Sequence, residues 1–360
     1  MDEISKIIIP IMVTIMISTI PMVGFAANNN INNLTTITSP KTILSLPLKL
    51  ISNNNGSGIN QKLNNTNNDV TSNNTNSSKS VIKVVASFFP IYEFVKAVGG
   101  DRVQASVLIP IGSEPHSFDP TIQQISNAQT ADMLVYNGAG MESVWINKVN
   151  PKFAVDTSQG LNLLASGDKK ALTGVDPHIW LDPILAEHQA NMIRDGLIKV
   201  DPNNANYYKD NAQKFIAQLN SLNSSIKSKL SNCNKKDFIS FHNAFNYFAQ
   251  RYGLIQHTIQ GLSPEGEILP QKIQEIIQLS HNLGINTIYS EDLVDPRAAQ
   301  VIADEIPNGK VLILSPIEGI KPVEQKAGIG YLDKMKQDLT NLEEGLQCSS
   351  NNSGQNPATS

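Results

Sequence analysis

Basic residues are in short supply. The 360-residue chain has 28 Lys and Arg against 32 Asp and Glu, a net charge of -4. With no cluster of positive charge to neutralise phosphates, nucleic acid is excluded as an expected partner. Cysteine is almost missing: only Cys233 and Cys348 occur, far apart and without metal-site spacing. They read as one disulfide joining the last helix to the start of a second domain. No cysteine follows the N-terminal apolar run, which excludes a lipid anchor there. No His-Glu-x-x-His helix is present either, so the usual general base of a zinc hydrolase is lacking.

Hydrophobic residues at 40% and charged residues at 17% describe an ordinary soluble globular protein, and 360 residues suffice for two domains with their own cores. The N-terminus departs from that average. A short polar start with one lysine precedes an apolar stretch over 7–25 that contains Pro10 and Pro21. Residues 1–27 therefore read as a secretory signal, with a small-residue cleavage site near Ala26, or as a retained N-terminal anchor. Residues 28–80 hold sixteen asparagines with many Ser and Thr. Such a segment cannot bury enough surface to offset its ordering entropy, so it is expected to be a disordered tether. Acceptor triplets for N-glycosylation begin at Asn33, Asn55, Asn64, Asn73 and Asn76.

From residue 81 short apolar runs alternate with helical stretches. Strands are predicted over 81–87, 104–109 and 133–137, with helices over 90–98 and 121–130. A second series predicts strands over 237–241, 254–259, 287–290 and 311–314, with helices near 244–252, 270–283 and 297–305. The alternation implies two similar α/β lobes with parallel sheets, an N-terminal one over 81–200 and a C-terminal one over 233–347, followed by a disordered tail at 348–360. Between them Asp201-Pro202 has the look of a helix start, with Asp as cap and Pro in the first turn. Beyond it Ala205, Tyr208, Ala212, Phe215, Leu219, Leu222, Ile226 and Leu230 recur at steps of three and four, one apolar stripe on a long linking helix within 201–232.

Only six histidines occur. His188, His257 and His281 sit in polar or helical runs and read as ordinary imidazoles. His116, His178 and His242 lie in turn-like or strand-end settings, and His116 and His242 follow predicted strands at the carboxyl ends where open α/β sheets bind ligands. Three distant imidazoles gathered at one cleft between lobes are most simply explained by a d-block metal ion, with zinc the first candidate.

The ordered motifs Ser87-Phe-Phe-Pro-Ile-Tyr, Glu114-Pro-His-Ser-Phe-Asp-Pro, Asp132-Met-Leu-Val-Tyr-Asn-Gly, Asp176-Pro-His-Ile-Trp-Leu-Asp-Pro and Phe241-His-Asn-Ala-Phe-Asn-Tyr-Phe resemble the TroA-like family, the zinc and manganese substrate-binding proteins of ABC importers. The resemblance covers residues from about 81 to 346. It implies that His116 and His178 are metal ligands. The third ligand position is histidine in members that bind zinc and glutamate in many that bind manganese; here it is His242, and three neutral imidazoles suit zinc better than manganese. The family's usual fourth ligand is an aspartate after the last strand, where this chain has Ser315-Pro316. A water, or the carboxylate of Glu291, Glu318 or Glu114, remains to complete the tetrahedron, and Glu291 is favoured because Tyr289-Ser-Glu-Asp closes a predicted strand. The histidine-rich loop of many zinc members has no counterpart over 139–175.

The family likeness implies a non-enzymatic monomeric receptor outside the membrane, at its outer face or in the periplasm. It would deliver Zn2+, or else Mn2+, to a permease with a cytoplasmic ATPase, and a long bracing helix suggests a small opening on release. A zinc-dependent hydrolase and a surface adhesin are the alternatives.

Overall fold

The computed structural model describes residues 81–167 and 174–349. The segments read as signal or anchor (1–27) and as tether with its glycosylation triplets (28–80) lie outside the described residues, as does the tail beyond 349.

The first lobe begins with β1 (Ile82–Ala86), α1 (Phe89–Gly99), β2 (Val103–Val107), α2 (Ile122–Thr130), β3 (Met133–Tyr136) and β4 (Ala154–Asp156). All pairings are parallel, in the order β2-β1-β3-β4. The Val-rich run of β1 is buried along nearly its whole length, as a parallel strand covered on both faces must be. A capping box fixes the start of α2, with Thr121 and Gln124 each satisfying a backbone N–H of the other.

Next come α3 (Pro183–Val200) and α4 (Ala205–Leu230). The sequence reading assigned no helix to 183–200, although it carries the same Asp-Pro start as the linking helix. Asp182 caps it, accepting from the Ile184 N–H at 2.9 Å, with Pro183 in the first turn. Its buried face mixes the small Ala186, Ala190 and Gly196 with Gln189, Ile193 and Leu197, and Gly196 packs so closely on Val155 and Met133 that a Cβ would clash. The signal is hard to see because Ala and Gly give little periodic contrast.

The second lobe consists of β5 (Asp237–Ser240), α5 (Asn246–Tyr252), β6 (Ile255–Thr258), α6 (Pro270–Leu283), β7 (Thr287–Ser290), α7 (Arg297–Asp304), β8 (Lys310–Ile313), α8 (Pro322–Lys326) and α9 (Tyr331–Gly345). Its sheet has the equivalent parallel order β6-β5-β7-β8. Left-handed Gly253 and Gly284 terminate α5 and α6.

The 26 residues of α4 span about 39 Å. Near its start Asn211 donates to the Val98 carbonyl of α1 at 3.2 Å; near its end Lys229 pairs with Glu343 of α9 at 2.8 Å. The expected stripe from Tyr208 to Leu230 is buried. Its start differs from expectation: Pro202–Asn204 form a 3-10 turn, and the Asp201 carboxylate accepts from Asn204 Nδ2 and the Tyr208 hydroxyl instead of a first-turn backbone N–H. Cys233, just past α4, is bonded to Cys348, just past α9.

One large core runs without a break from β1, β3 and α1 through α3 and α4 to α9, while a smaller one of Ile239, Ile276, Ile288 and Ile302 lies among β5, β7, α6 and α7. Among the described residues no helix is long and apolar enough to cross a membrane.

Candidate metal centre

Strand ends and tight turns place the donors. His242 lies just past β5, and Glu291 directly follows β7, the strand beside it. Glu291 Oε1 accepts both the His242 backbone N–H at 3.0 Å and the ring Nδ1–H at 2.6 Å. His178 sits in the Asp176-Pro-His turn, where Asp176 Oδ1 likewise accepts the His178 backbone N–H at 3.0 Å and Nδ1–H at 2.7 Å. Asp176 is itself held from the other lobe, by Asn246 Nδ2 at 2.8 Å and, on its carbonyl, by the Tyr247 hydroxyl at 2.9 Å. His116 is fixed by a backbone N–H donated to Glu114 at 3.0 Å.

An imidazole that donates from Nδ1 to a carboxylate presents Nε2 as a bare lone pair when neutral. His178 and His242 both do so, and their Nε2 atoms stand 3.2 Å apart. His116 Nε2 is 3.3 Å from His178 Nε2. Glu318 Oε1 completes the group at 3.0 Å from His116, 3.2 Å from His178 and 3.4 Å from His242. A tetrahedral zinc ion with ligands about 2.0–2.1 Å away has edges of about 3.3 Å. Five of the six distances among the four donors already stand near that spacing. Three are fully or nearly buried and only His116 is partly exposed.

So many acceptors facing one point repel unless a cation, or protons, lies between them. Burial pushes the His116 imidazole below its ordinary pKa against the pull of Glu318. For His242 burial acts in the same direction, but the Glu291 and Glu318 carboxylates more than offset it and raise the pKa well above the usual value. At His178 burial is likewise outweighed, here by Asp176, and the pKa is raised. Burial would raise Glu318, yet the facing imidazoles of His116 and His242 hold it well below the carboxylate range. Burial and the neighbouring Glu318 push Glu114 up to about 9. A cation entering the centre would therefore compete with protons for these donors.

The final helix supports this floor. Its residues Lys334 and Asp338 lie one turn apart: Lys334 pairs with Asp292, next to Glu291, at 2.6 Å, and Asp338 accepts the Ser315 N–H at 2.8 Å.

Of the residues singled out from sequence, His116, His178, His242 and Glu318 converge. Glu291, the favoured fourth donor, does not face the centre. Because β7 neighbours β5, its carboxylate meets His242 at Nδ1, on the ring edge away from Nε2. Glu114 binds the His116 backbone. Asp176 was not singled out for a role of its own, although its place two residues before His178 in a Pro-containing turn was a readable signal.

Holding an ion between facing donors of two lobes is the task of the metal-binding substrate-binding proteins of ABC importers, and the chain is one of that class. More narrowly, it belongs to the family described as zinc-uptake complex component A, periplasmic, which matches residues 84–345. It is 33% identical over 295 residues to the high-affinity zinc uptake system protein ZnuA of Bacillus subtilis, covering 78% of this chain and 92% of that protein. The zinc-binding protein AdcA of Streptococcus pyogenes is 34% identical over 286 residues, 72% of this chain; the chain spans 55% of that relative's length. Among solved structures, the Zn(II)-bound ZnuA-like domain of Streptococcus pneumoniae AdcA matches with a TM-score of 0.66 at 32% identity, over 74% of this chain and 99% of that domain.

Proposed function

We propose that the chain captures a zinc ion outside the membrane through His116, His178, His242 and Glu318 and hands it to an ABC permease driven by a cytoplasmic ATPase. The observation that carries this reading is the convergence of three imidazole Nε2 atoms and one carboxylate oxygen on one point, with spacings of 3.0–3.4 Å that suit the corners of a zinc tetrahedron. Imidazole nitrogen suits zinc, whereas manganese favours a set richer in oxygen. The protein is a transport component and not an enzyme. A catalytic zinc keeps one position open for water or substrate, and a Glu318 carboxylate facing the same point as the three imidazoles supports a closed ligand set instead. The hydrolase reading therefore drops away, and nothing in the residues requires adhesion.

All four donors come from one chain, which supports a monomer as the working unit. The apolar stretch over 7–25 supports export, either as a cleaved signal or as an anchor retained at the outer face of the membrane.

The test loads the metal-free full chain with zinc and manganese in competition, for the wild type and for His242→Glu. One tightly bound zinc in the wild type, with a shift toward manganese in the variant, is expected. No stoichiometric metal in either protein would overturn the reading.

A further inference from the structure

The loop that carries Glu318 is held in a backbone its own sequence disfavours. Ile317 has a φ of 58°. A β-branched residue adopts that left-handed conformation only where its surroundings impose it. Within its own lobe the loop is tied by Ser315, whose Oγ accepts the Ile317 N–H at 3.1 Å. From the other lobe, the indole Nε1–H of Trp180 donates to the Pro316 carbonyl at 2.8 Å. Trp180 lies two residues past His178, and its ring centre is 5.2 Å from that imidazole and 4.9 Å from the Phe88 ring. Its own carbonyl accepts from the Tyr331 hydroxyl at 2.5 Å. One side chain thus touches the donor segments of both lobes.

We infer that Trp180 is a positioning residue that makes the place of Glu318 in the metal centre conditional on closed lobes. With the lobes together, the indole holds the Pro316 carbonyl, Ile317 stays in its strained backbone, and Glu318 Oε1 faces the imidazoles. When the lobes part, the indole leaves with His116 and His178. Simple separation would strand the ion on His242 and Glu318, both in the second lobe. Loss of the indole lets Ile317 relax and withdraws the carboxylate as well, so that a single imidazole is left and release goes to completion. This inference rests on the reading of Glu318 as a ligand.

The experiment compares the full-length wild type with Trp180→Phe, Glu318→Gln and the double variant. It measures the rate of zinc release to a chelator, the visible absorption of the cobalt(II) form as a reporter of the ligand set, and the melting of the metal-free protein. Trp180→Phe keeps a ring but leaves the buried Pro316 carbonyl unpaired, and release about tenfold faster is expected. Its cobalt(II) spectrum should move toward that of Glu318→Gln, and the double variant should release zinc no faster than Glu318→Gln alone. Multiplying effects in the double variant, or lowered melting with an unaltered spectrum, would overturn the inference. If Glu318→Gln itself behaves as wild type, the ligand reading fails and the inference with it; a strong Glu318→Gln effect beside a wild-type Trp180→Phe removes the inference alone. Should Trp180→Phe not fold, Tyr331→Phe frees the Trp180 carbonyl while keeping the ring: faster release is expected, and wild-type release overturns the proposal.

Discussion

The two lobes share one sheet topology and deliver their donors differently. In the second lobe the donors sit close to strand ends: His242 just after β5, braced by Glu291 directly after β7, and Glu318 shortly after β8. In the first lobe His116 and His178 lie far along excursions beyond β2 and β4, and their geometry is finished by groups from across the cleft, such as Asn246 and Tyr247 on Asp176. Strand geometry presets His242 with its Glu291 brace. The other donors are held by contacts across the cleft, Asn246 on Asp176 and Trp180 on the loop of Glu318 among them, which suits a receptor that must let go as well as hold.

Protons give the largest effect, and they act on both lobes. Burial disfavours the charged imidazole at His178 and His242, but their carboxylates outweigh it and raise both pKa values, so protons occupy these donors at a higher pH than they would a free imidazole. Zinc must displace them, and affinity therefore falls as pH drops, starting above the ordinary imidazole range. A loss of about a thousandfold between pH 8 and 5 is expected from competitive chelation; a flat profile would contradict the site. Breaking the staple of the second lobe comes next. Cys348→Ser opens a bond across a sequence separation of 115 and should lower unfolding stability by about 3–4 kcal/mol in denaturant titration, while zinc affinity changes less than twofold.

Asp176→Asn and Glu291→Gln disturb the tautomer of one imidazole in each lobe, and each should weaken zinc by about 10–100-fold. The contrast between lobes is sharpest in the smallest effect. Asn246→Ala removes a cross-lobe hydrogen bond to Asp176 and should weaken zinc about fivefold. The rates should show it as faster release with capture nearly unchanged; slowed capture with normal release would argue that the first lobe is preset after all.

Much of this was legible in the chain. The alternation of strand and helix, the stripe of α4 and the three histidines all rest on local patterns of period, cap and turn. The structure brings those histidines together. The fourth donor was not legible, for a definite reason. Glu291 satisfies the local rule of a carboxylate at a strand end, but which edge of His242 it meets depends on β5 and β7 being neighbours. Glu318 reaches the centre through a left-handed Ile317 and an indole far away in sequence, neither of which leaves a local trace. Similarly α3 escaped notice because Ala186, Ala190 and Gly196 dilute its packing face and the buried Gln189 interrupts it.

Phe94 of the first lobe lies 5.3 Å from Phe215 of the linking helix and 4.8 Å from Tyr331 of the final helix, ring centre to ring centre, within one uninterrupted core. The visual division into lobes is therefore not a division into folding units. Heat should melt the protein in a single calorimetric transition, and a chain cut after residue 200 should leave neither piece able to fold. Slow amide exchange will follow the shared core, while the small cluster around Ile276 and Ile302 opens first.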